Sequence, residues 1–388
     1  MKRPFYQLNQ SKDVIRHFTP NWFTATMGTG VVSMILIQLP FAKSFLCMLA
    51  TLLWQFNIVL FSVFSGLYLL RWFLFPHEAK QVFNHPNMSL FLGAIPMGLA
   101  TILNGFLSFG VGLYGEVAIH IAQVLWYVDV FLALAIAWIV PFCMFSRQNH
   151  QLDTMTAIWL LPVVACEVAA SSAGMLVAHL PADLHSFHLL MAGYVLWGIS
   201  VLPAFAILTI LMLRMALHQL PEKEVAISSW LSLGPIGTGA LGLLLLGEQA
   251  KRVAPNVGFD QFANVFQALG VVGSLVLLGF GLWWLGLAIL TTLRHAKTGI
   301  PFNLGWWGLT FPLGVFILAL FNLGHQVEVV FLQYVAVALS VLLLVMWSVV
   351  MKKTLAGAYS GQLFFSPCLI ALQQKCSSGK KVQKSFCT

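Results

Sequence analysis

Residues 302–316 read Phe-Asn-Leu-Gly-Trp-Trp-Gly-Leu-Thr-Phe-Pro-Leu-Gly-Val-Phe, an apolar run without a charged side chain. Inside this run Pro312 follows Trp307 by five residues, and Gly314 follows Pro312 by two. Because proline lacks a backbone donor and crowds the carbonyl four residues earlier, we expect a helix through this run to kink at Pro312. Such a helix suits a membrane protein only where its freed backbone groups face protein or a water-filled path.

The same spacing of an aromatic residue, a proline and a glycine recurs on every second apolar segment. Phe91 and Trp230 lead two further complete copies. Trp22 leads a copy without the proline, and Trp159 leads a copy with a shorter spacing. The repetition predicts five helical hairpins, each led by a bent helix, around a pore, although proline and glycine also serve packing alone in membrane helices. The four predicted kink positions are Pro96, Pro162, Pro235 and Pro312.

The composition assigns the chain to a lipid environment. Hydrophobic residues make up 59% of the sequence and charged residues 8%, whereas a soluble domain carries about 25% charged residues. The formal net charge of +8 could suggest nucleic acid, but the basic residues are scattered between apolar runs. We therefore expect an all-α polytopic membrane protein that contacts the lipid bilayer and has no nucleic-acid partner.

Windows nearly free of Asp, Glu, Lys and Arg predict ten transmembrane helices. We expect this domain, residues 17–351, to follow a cytoplasmic segment at 1–16. A cytoplasmic tail at 352–388, either disordered or lying on the surface, should come after it. The predicted spans fall at residues 17–42, 46–70, 81–115, 117–146, 154–180, 187–213, 225–247, 262–293, 303–324 and 329–351.

The positions of the basic residues predict the orientation of the chain. With the N-terminus inside, 17 of the 20 lysine and arginine residues fall on the cytoplasmic side. The three on the opposite side are Lys43, Lys251 and Arg252. Because cytoplasmic loops of membrane proteins carry an excess of Lys and Arg, this distribution predicts that both termini are cytoplasmic.

Three segments carry a resemblance to a known family. Residues 17–30, 89–101 and 302–316 are similar to the tellurite-resistance/dicarboxylate transporter family. That family includes the slow anion channels of plant guard cells, the fungal malate permeases and the sulfite efflux pumps. Residues 155–162 and 194–198 extend the likeness. It is greatest to the sulfite efflux pumps and next greatest to the malate permeases.

The resemblance implies ten helices that form five hairpins in a quasi-fivefold arrangement around a central pore. It also implies a plasma-membrane protein that assembles as a homotrimer and moves a small anion. The first hypothesis for its function is efflux of sulfite or bisulfite, and the alternative is transport of a C4-dicarboxylate such as malate. A phenylalanine plugs the pore in that family, and its position in the Trp-Trp-x-x-Thr-Phe-Pro string corresponds to Phe311.

Phe311 is also a candidate gate from its chemistry alone. It directly precedes Pro312, so its backbone is restricted at the expected kink. An aromatic ring at a narrow point resists wetting and blocks hydrated ions, and one change of rotamer opens it. The alternative is an ordinary packed phenylalanine. The residues at the corresponding positions of the other copies, which we expect to line the pore, are Thr26, Ile95, Leu161 and Gly234.

Two carboxylates interrupt the predicted spans: Asp129 in the fourth and Glu167 in the fifth. A charge at mid-membrane is costly and by default functional, and a buried carboxyl group tends to bind a proton. Either residue could couple a proton to anion movement or donate a structural hydrogen bond to a neighbouring helix. The structural role is favoured for Asp129. Glu248, near two basic residues at the outer end of the seventh span, is expected to form an ion pair.

The remaining motifs predict neither a cofactor nor a metal. Residues 237–242 match the GxGxxG pattern, but they lie in an apolar span with no strand before them. His185 and His188 have a ligand-like spacing without a Cys or carboxylate partner nearby, so we expect surface histidines. A third hypothesis, a membrane-embedded enzyme or scaffold, would need a catalytic cluster or sizeable loops. The sequence offers neither, and we expect that the chain is not an enzyme.

Overall fold

The computed structural model describes residues 3–8, 10, 12–370 and 372, and this part of the chain contains helices but no strand. Nine of the described helices are long and apolar enough to cross a membrane. A shorter apolar helical segment precedes them, so the chain is a polytopic, all-helical membrane protein. Numbered along the chain, the helices are α1 (Pro20–Phe23 and Thr24–Leu36), α2 (Lys43–Leu74), α3 (Leu90–Tyr114), α4 (Glu116–Ser146), α5 (Ala157–Val177), α6 (Leu184–His218), α7 (Ala226–Val257), α8 (Asp260–Ala296), α9 (Leu304–Gln326) and α10 (Val330–Ser360).

Each odd-numbered helix begins with a short 3₁₀ segment and then continues as an α-helix. The 3₁₀ segments are Pro20–Phe23, Leu90–Gly93, Ala157–Leu160, Ala226–Ser232 and Leu304–Leu309. The geometry changes one or two residues before each repeat proline. Since amides in the first α-helical turn have no acceptor four residues back within the α-helix, a proline there costs no α-helical hydrogen bond. The prolines at these transitions are Pro96, Pro162, Pro235 and Pro312.

The odd- and even-numbered helices form two layers. In the most apolar windows of α3, α5, α7 and α9, between 83% and 94% of the residues are buried. In the even-numbered helices the share is between 22% and 33%. The α-helical part of α1 is buried throughout. Even-numbered helices expose large apolar side chains such as Phe131 and Phe145, so they form the lipid-facing layer around the odd-numbered ones.

Contacts between the helices follow a closed order. Helix α1 packs on α3, α3 on α5, α5 on α7 and α7 on α9, and α9 packs on α1 again. Each even-numbered helix packs against the odd-numbered helices before and after it, and α10 packs against α9 and α1. The outer helices therefore cover the seams between the inner ones.

Indole groups fasten the outer layer to the inner layer. Trp54 of α2, Trp126 of α4 and Trp197 of α6 each donate from the indole nitrogen to a backbone carbonyl of the next odd-numbered helix. The N···O distances are 3.1, 2.9 and 2.9 Å. Trp347 of α10 makes a similar bond to Thr29 Oγ1 of α1 at 3.3 Å. No water can replace such a bond in hydrocarbon, so these bonds hold the two layers together. The tryptophans form a second repeat, which the sequence analysis missed.

Two glycines allow the helices to approach closely around α9. A methyl group added at Gly237 of α7 would lie 2.6 Å from the backbone nitrogen of Phe316 in α9. A methyl group added at Gly281 of α8 would lie 2.3 Å from the ring of the same phenylalanine. Close backbone approach at small residues is a main source of attraction between membrane helices. Gly237, which begins the rejected GxGxxG match, therefore serves helix packing.

The outer helices are longer than the predicted spans. They contain 31 to 37 residues, which at about 1.5 Å per residue exceeds the hydrocarbon thickness of about 30 Å. Helix α10, predicted to end at residue 351, continues to Ser360 and stops at Gly361, whose φ is 89°. On this extension the Lys353 ammonium lies 4.7 Å from the centre of the Trp306 ring. The prediction ended each span near its first basic residue, but a helix continues where such side chains reach water.

Both ends of the described chain lie together on one face of the bundle. The backbone amide of Phe5 donates to the carbonyl of Tyr359, at the end of α10, at 2.8 Å. The Trp22 ring stacks on the Phe364 ring with 4.9 Å between centroids. Because the two ends meet on one face, the chain crosses the bundle an even number of times.

Arg71 of α2 holds the start of the C-terminal segment in place. Its side chain is fully buried and donates to the Phe18 carbonyl at 2.6 Å and to the Ser366 hydroxyl at 3.3 Å. Residues 361–370 of the predicted tail therefore pack against the bundle. The part of that tail beyond residue 372 lies outside the described residues.

Replacement of Arg71 by methionine should release this segment, because a hydrogen bond to a charged group contributes about 1.5–3 kcal/mol and methionine makes none. The thiol of Cys368 is 2% exposed, and we expect it to react with a maleimide about tenfold faster in the variant. Peptide mass spectrometry measures the rate. Arg147→Met, at an exposed arginine just after α4, is the control and should change nothing. Equal rates in Arg71→Met and wild type would contradict the role of Arg71.

Candidate functional site

The starts of the inner helices surround a cavity of about 380 Å³, which we call the vestibule. It lies on the face where the chain ends meet, because the C-terminal segment forms part of its edge. That segment contributes Gln362, Leu363, Phe365 and Pro367. The 3₁₀ segments of the five inner helices contribute Asn21, Phe91, Ile158, Ser228 and Trp307.

A second void of about 20 Å³ lies further along the inner helices. Its volume is close to the space that one water molecule occupies. Its walls are apolar, and apolar passages of this width resist wetting and impede ions. All five inner helices line this void, through Met27, Met97, Val164, Gly234 and Phe311 among others.

Five residues border both the vestibule and the void, and we call them the constriction. Phe311 is the one aromatic residue among them, is 3% exposed, and is the first residue of the α-helical part of α9. The Phe311 ring therefore lies beside both cavities. The constriction consists of Met27, Leu161, Leu231, Phe311 and Pro312.

Three of the residues predicted for the pore lie at these cavities. Phe311 and Leu161 belong to the constriction, and Gly234 lines the void. A methyl group added at Gly234 would lie 4.0 Å from the Pro312 ring, so Gly234 leaves open space at this narrow point. Among the repeat prolines, Pro312 belongs to the constriction. The prolines that border neither cavity are Pro96, Pro162 and Pro235.

The other two predicted residues border neither cavity. Thr26 donates to the Phe23 carbonyl at 2.7 Å and faces α3, where a methyl group added at Gly98 would lie 2.4 Å from its hydroxyl oxygen. Ile95 is half-buried among core side chains. Met27 lines both cavities instead of Thr26. It stands at the proline position of its repeat, which is the sequence signal that identifies it.

Sequence reasoning also missed Met97, Val164 and Leu231. Val164 follows Leu161 by three residues, and Leu231 precedes Gly234 by three. Residues three apart lie one turn apart on the same face of a helix. Helical spacing from the predicted residues would therefore have found Val164 and Leu231.

The vestibule wall carries helix ends and almost no fixed charge. Among the described residues that line it, Glu224 is the one Asp, Glu, Lys or Arg. All five inner helices start at its wall, so the partial positive charges of their N-terminal ends converge there. Asn21, Asn87 and Asn303 add neutral amide groups. Helix ends and amide groups of this kind can interact with an anion without a fixed cation that would trap it, although the Glu224 carboxylate opposes them.

Asp129 and Glu167 are fully buried, and among the described residues neither carboxyl group makes a hydrogen bond, although the Ser200 hydroxyl lies near Glu167. Glu167 lies on the inner helix α5, three residues past Val164. Asp129 lies on the outer helix α4, where nearby Trp126 binds α5. The two carboxyl groups therefore lie in different layers, as their positions on an even-numbered and an odd-numbered span predicted.

Glu248 does not form the expected ion pair. It is exposed and accepts a hydrogen bond from the Gln326 amide of α9 at 3.1 Å. Arg252, one of the two basic residues expected as its partners, instead donates to Gln249 Oε1 at 2.9 Å and to the Leu180 carbonyl at 3.1 Å. Arg252 thereby ties the end of α7 to the residues that follow α5.

A multi-pass helical membrane protein with helix N-termini around a charge-poor vestibule has the anatomy of an anion channel or transporter. The comparison with protein families agrees with this class. The chain belongs to the SLAC1 family, whose model, described as a voltage-dependent anion channel, matches residues 17–355. This match runs from before α1 almost to the end of α10 and confirms the resemblance found in the sequence.

Curated relatives cover nearly the whole chain. A protein of Arthroderma benhamiae named sulfite efflux pump SSU1 is 36% identical over 90% of this chain and 93% of its own length. An uncharacterized transporter of Methanocaldococcus jannaschii is 30% identical over 90% of this chain and 97% of its own. The malic acid transport protein of Schizosaccharomyces pombe is 24% identical over 90% and 80%, respectively.

If Phe311 separates the two cavities, its removal should open the void to water-soluble reagents. We expect a cysteine in place of Val164 to react with a charged methanethiosulfonate in the Phe311→Ala background and not with Phe311 present. The measurement uses sealed vesicles with the vestibule facing outward and peptide mass spectrometry. Ser228→Cys, in the vestibule wall, is the control and should react in both backgrounds. Equal labelling of Val164→Cys with and without Phe311 would show that Phe311 does not separate the vestibule from the void.

Proposed function

We propose that the protein exports sulfite or bisulfite along a path between the inner helices, with Phe311 as the barrier. The observation that carries the proposal is the position of Phe311 between the vestibule and the void. The substrate is suggested by the fungal proteins named sulfite efflux pump, which are 36% identical over 90% of this chain. Sulfite and bisulfite are small oxyanions, and a small anion requires the least widening of the constriction.

The barrier in this proposal is the loss of hydration. An anion that enters the apolar constriction gives up water without gaining a hydrogen-bond donor, which costs several kcal/mol. Rotation of the Phe311 side chain away from Met27 and Leu231 would join the vestibule to the void and admit water. The adjacent Pro312 fixes the local backbone, so we assign the movement to the side chain.

For the architecture, we propose ten spans in five hairpins with quasi-fivefold symmetry around this path. Residues Pro20–Phe23 and Thr24–Leu36 of α1 extend about 28 Å at 3₁₀ and α-helical rises, close to the hydrocarbon thickness of about 30 Å. Counting α1 as a span gives an even number, which agrees with chain ends on one face. The closed order of contacts among the inner helices supports the symmetry.

We further propose a plasma-membrane homotrimer with both termini in the cytoplasm. The distribution of 17 basic residues against three supports the orientation. The vestibule then opens to the cytoplasm, the side from which an exporter takes its substrate. In this proposal residues 17–351 form the transport domain between the cytoplasmic segment 1–16 and the tail 352–388. The trimer rests on the family resemblance.

The alternative substrate is a C4-dicarboxylate, because one relative is named a malic acid transport protein. That relative is 24% identical to this chain, compared with 36% for the sulfite efflux pump of Arthroderma benhamiae. A dicarboxylate is larger than bisulfite, so it requires a wider opening. When doubly ionised it also loses more hydration. Both arguments favour sulfite. Membership of a family described as a channel leaves the enzyme or scaffold hypothesis without support.

Anion flux in proteoliposomes tests the substrate and the barrier together. We expect sulfite flux to exceed malate and chloride flux, and Phe311→Ala to raise sulfite flux about tenfold or more, as for a barrier lowered by about 1.4 kcal/mol. Phe321→Ala, at another buried phenylalanine of α9 that borders neither cavity, should not raise the flux. A preference for malate would favour the dicarboxylate alternative. No anion flux in any variant would refute anion transport.

A side chain at Gly234 should restore the barrier that Phe311→Ala removes. The structure leaves space there, with the nearest atoms 4.0 Å from an added methyl group, so valine can extend into the void. We expect Phe311→Ala/Gly234→Val to lose most of the flux gained by Phe311→Ala. Gly198→Val in the same background is the control, since nothing lies within 4 Å of a methyl group added at Gly198. Equal effects of the two valines would count against Gly234 as part of the path.

A further inference from the structure

Two aromatic rings at the edge of the vestibule hold an ammonium group. Phe302 lines the vestibule, and its ring packs edge-on against the ring of Trp306 with 5.5 Å between centroids. The Trp306 indole donates to the Pro301 carbonyl at 3.0 Å, which fixes that ring. The Lys353 ammonium, from the end of α10, lies 5.5 Å from the centre of the Phe302 ring and 4.7 Å from that of Trp306. Both distances are short enough for a cation to be attracted to an aromatic face.

A hydrogen bond between α9 and α10 keeps Lys353 beside the vestibule. Thr354, the next residue, accepts from the indole nitrogen of Trp307 at 3.1 Å, and the buried Trp307 lines the vestibule. Helix α10 continues through both residues to Ser360, so the backbone of Lys353 is fixed at this position. An anion against the Phe302 ring therefore lies at a distance from the ammonium that is comparable with the Debye length, about 8 Å at physiological ionic strength.

The aromatic rings hold the Lys353 ammonium without neutralising it. In the part of the chain that the structure describes, no carboxylate forms an ion pair with Lys353. A carboxylate partner would cancel the positive charge, whereas an aromatic ring attracts a cation through its quadrupole and carries no net charge. Lys353 is also exposed, so an anion that meets the ammonium stays hydrated. The full positive charge therefore remains available to anions at the edge of the vestibule.

The vestibule wall itself has a charge of the wrong sign for an anion. Glu224 is the one Asp, Glu, Lys or Arg among the described residues that line it. Asn303, the residue after Phe302, donates to the Glu224 backbone carbonyl at 3.0 Å, so Glu224 lies near the segment that holds Lys353. The Glu224 carboxylate repels an incoming anion, and a cation beside the same segment offsets that repulsion.

We propose that Lys353 is a specificity-determining residue that draws anions into the vestibule, an inference that rests on the proposed transport function. Its charge raises the concentration of anions at the edge of the vestibule and lowers that of cations. Because Lys353 lies outside the constriction, it acts on entry and not on passage. Lys352 offers a matched comparison, since neighbouring residues of a helix point about 100° apart. In the described part of the chain Lys352 lies over neither ring.

Labelling of Ser228→Cys, in the vestibule wall, tests the proposal without depending on transport. Anionic and cationic methanethiosulfonates are compared in sealed vesicles of zwitterionic lipid with the vestibule facing outward. We expect Lys353→Met, which can still pack on the rings, to lower the ratio of anionic to cationic labelling about threefold at about 0.1 M salt. The effect should vanish near 1 M salt, where the Debye length is about 3 Å. An unchanged ratio, or an equal change in Lys352→Met, would overturn the proposal.

Sulfite flux in proteoliposomes of the same lipid gives a second test. Lys353→Met should raise the half-saturating sulfite concentration about twofold and leave the maximal flux unchanged, because it weakens entry alone. Lys353→Arg keeps the charge and can stack on both rings, so it should match wild type. A lower maximal flux at an unchanged half-saturating concentration would overturn the proposal. No sulfite flux in wild type, together with the expected labelling, would refute the transport function and leave the charge effect of Lys353 in place.

Discussion

In hydrocarbon no water pairs with a backbone N–H or carbonyl group, so a helix that departs from regular geometry must find its partners within the protein. The inner helices depart from it where each 3₁₀ segment becomes an α-helix. Such helices are stable only behind a second layer. The outer helices provide that layer, and the indoles of Trp54, Trp126 and Trp197 donate to inner-helix carbonyls. The two-layer architecture follows from this single requirement.

The same irregular starts create the vestibule. All five inner helices begin at one face, and their N-terminal ends converge around a cavity of about 380 Å³. Helix ends supply a diffuse positive potential that can interact with an anion without a lysine or arginine in the wall. A fixed cation deep in a low-dielectric path would hold the anion and slow its release. The arrangement therefore suits passage of an anion better than storage.

The low dielectric of the interior sets the barrier along the path. At the constriction, Phe311 and its apolar neighbours deny an anion any replacement for its water. Rotation of the Phe311 side chain would admit water and lower that barrier.

The sequence by itself determined the class of the protein, the alternation of helices and Phe311 as a candidate gate. Low charge is a property of the composition, and the repeat and the spacing around Pro312 are local patterns, so all three can be recognised in the sequence directly. The tertiary structure alone decided that Met27 and not Thr26 borders the two cavities, and that Arg71 secures the C-terminal segment. The physical reason is that these distinctions depend on helix rotation and on neighbours distant in the chain, which set burial and hydrogen bonding.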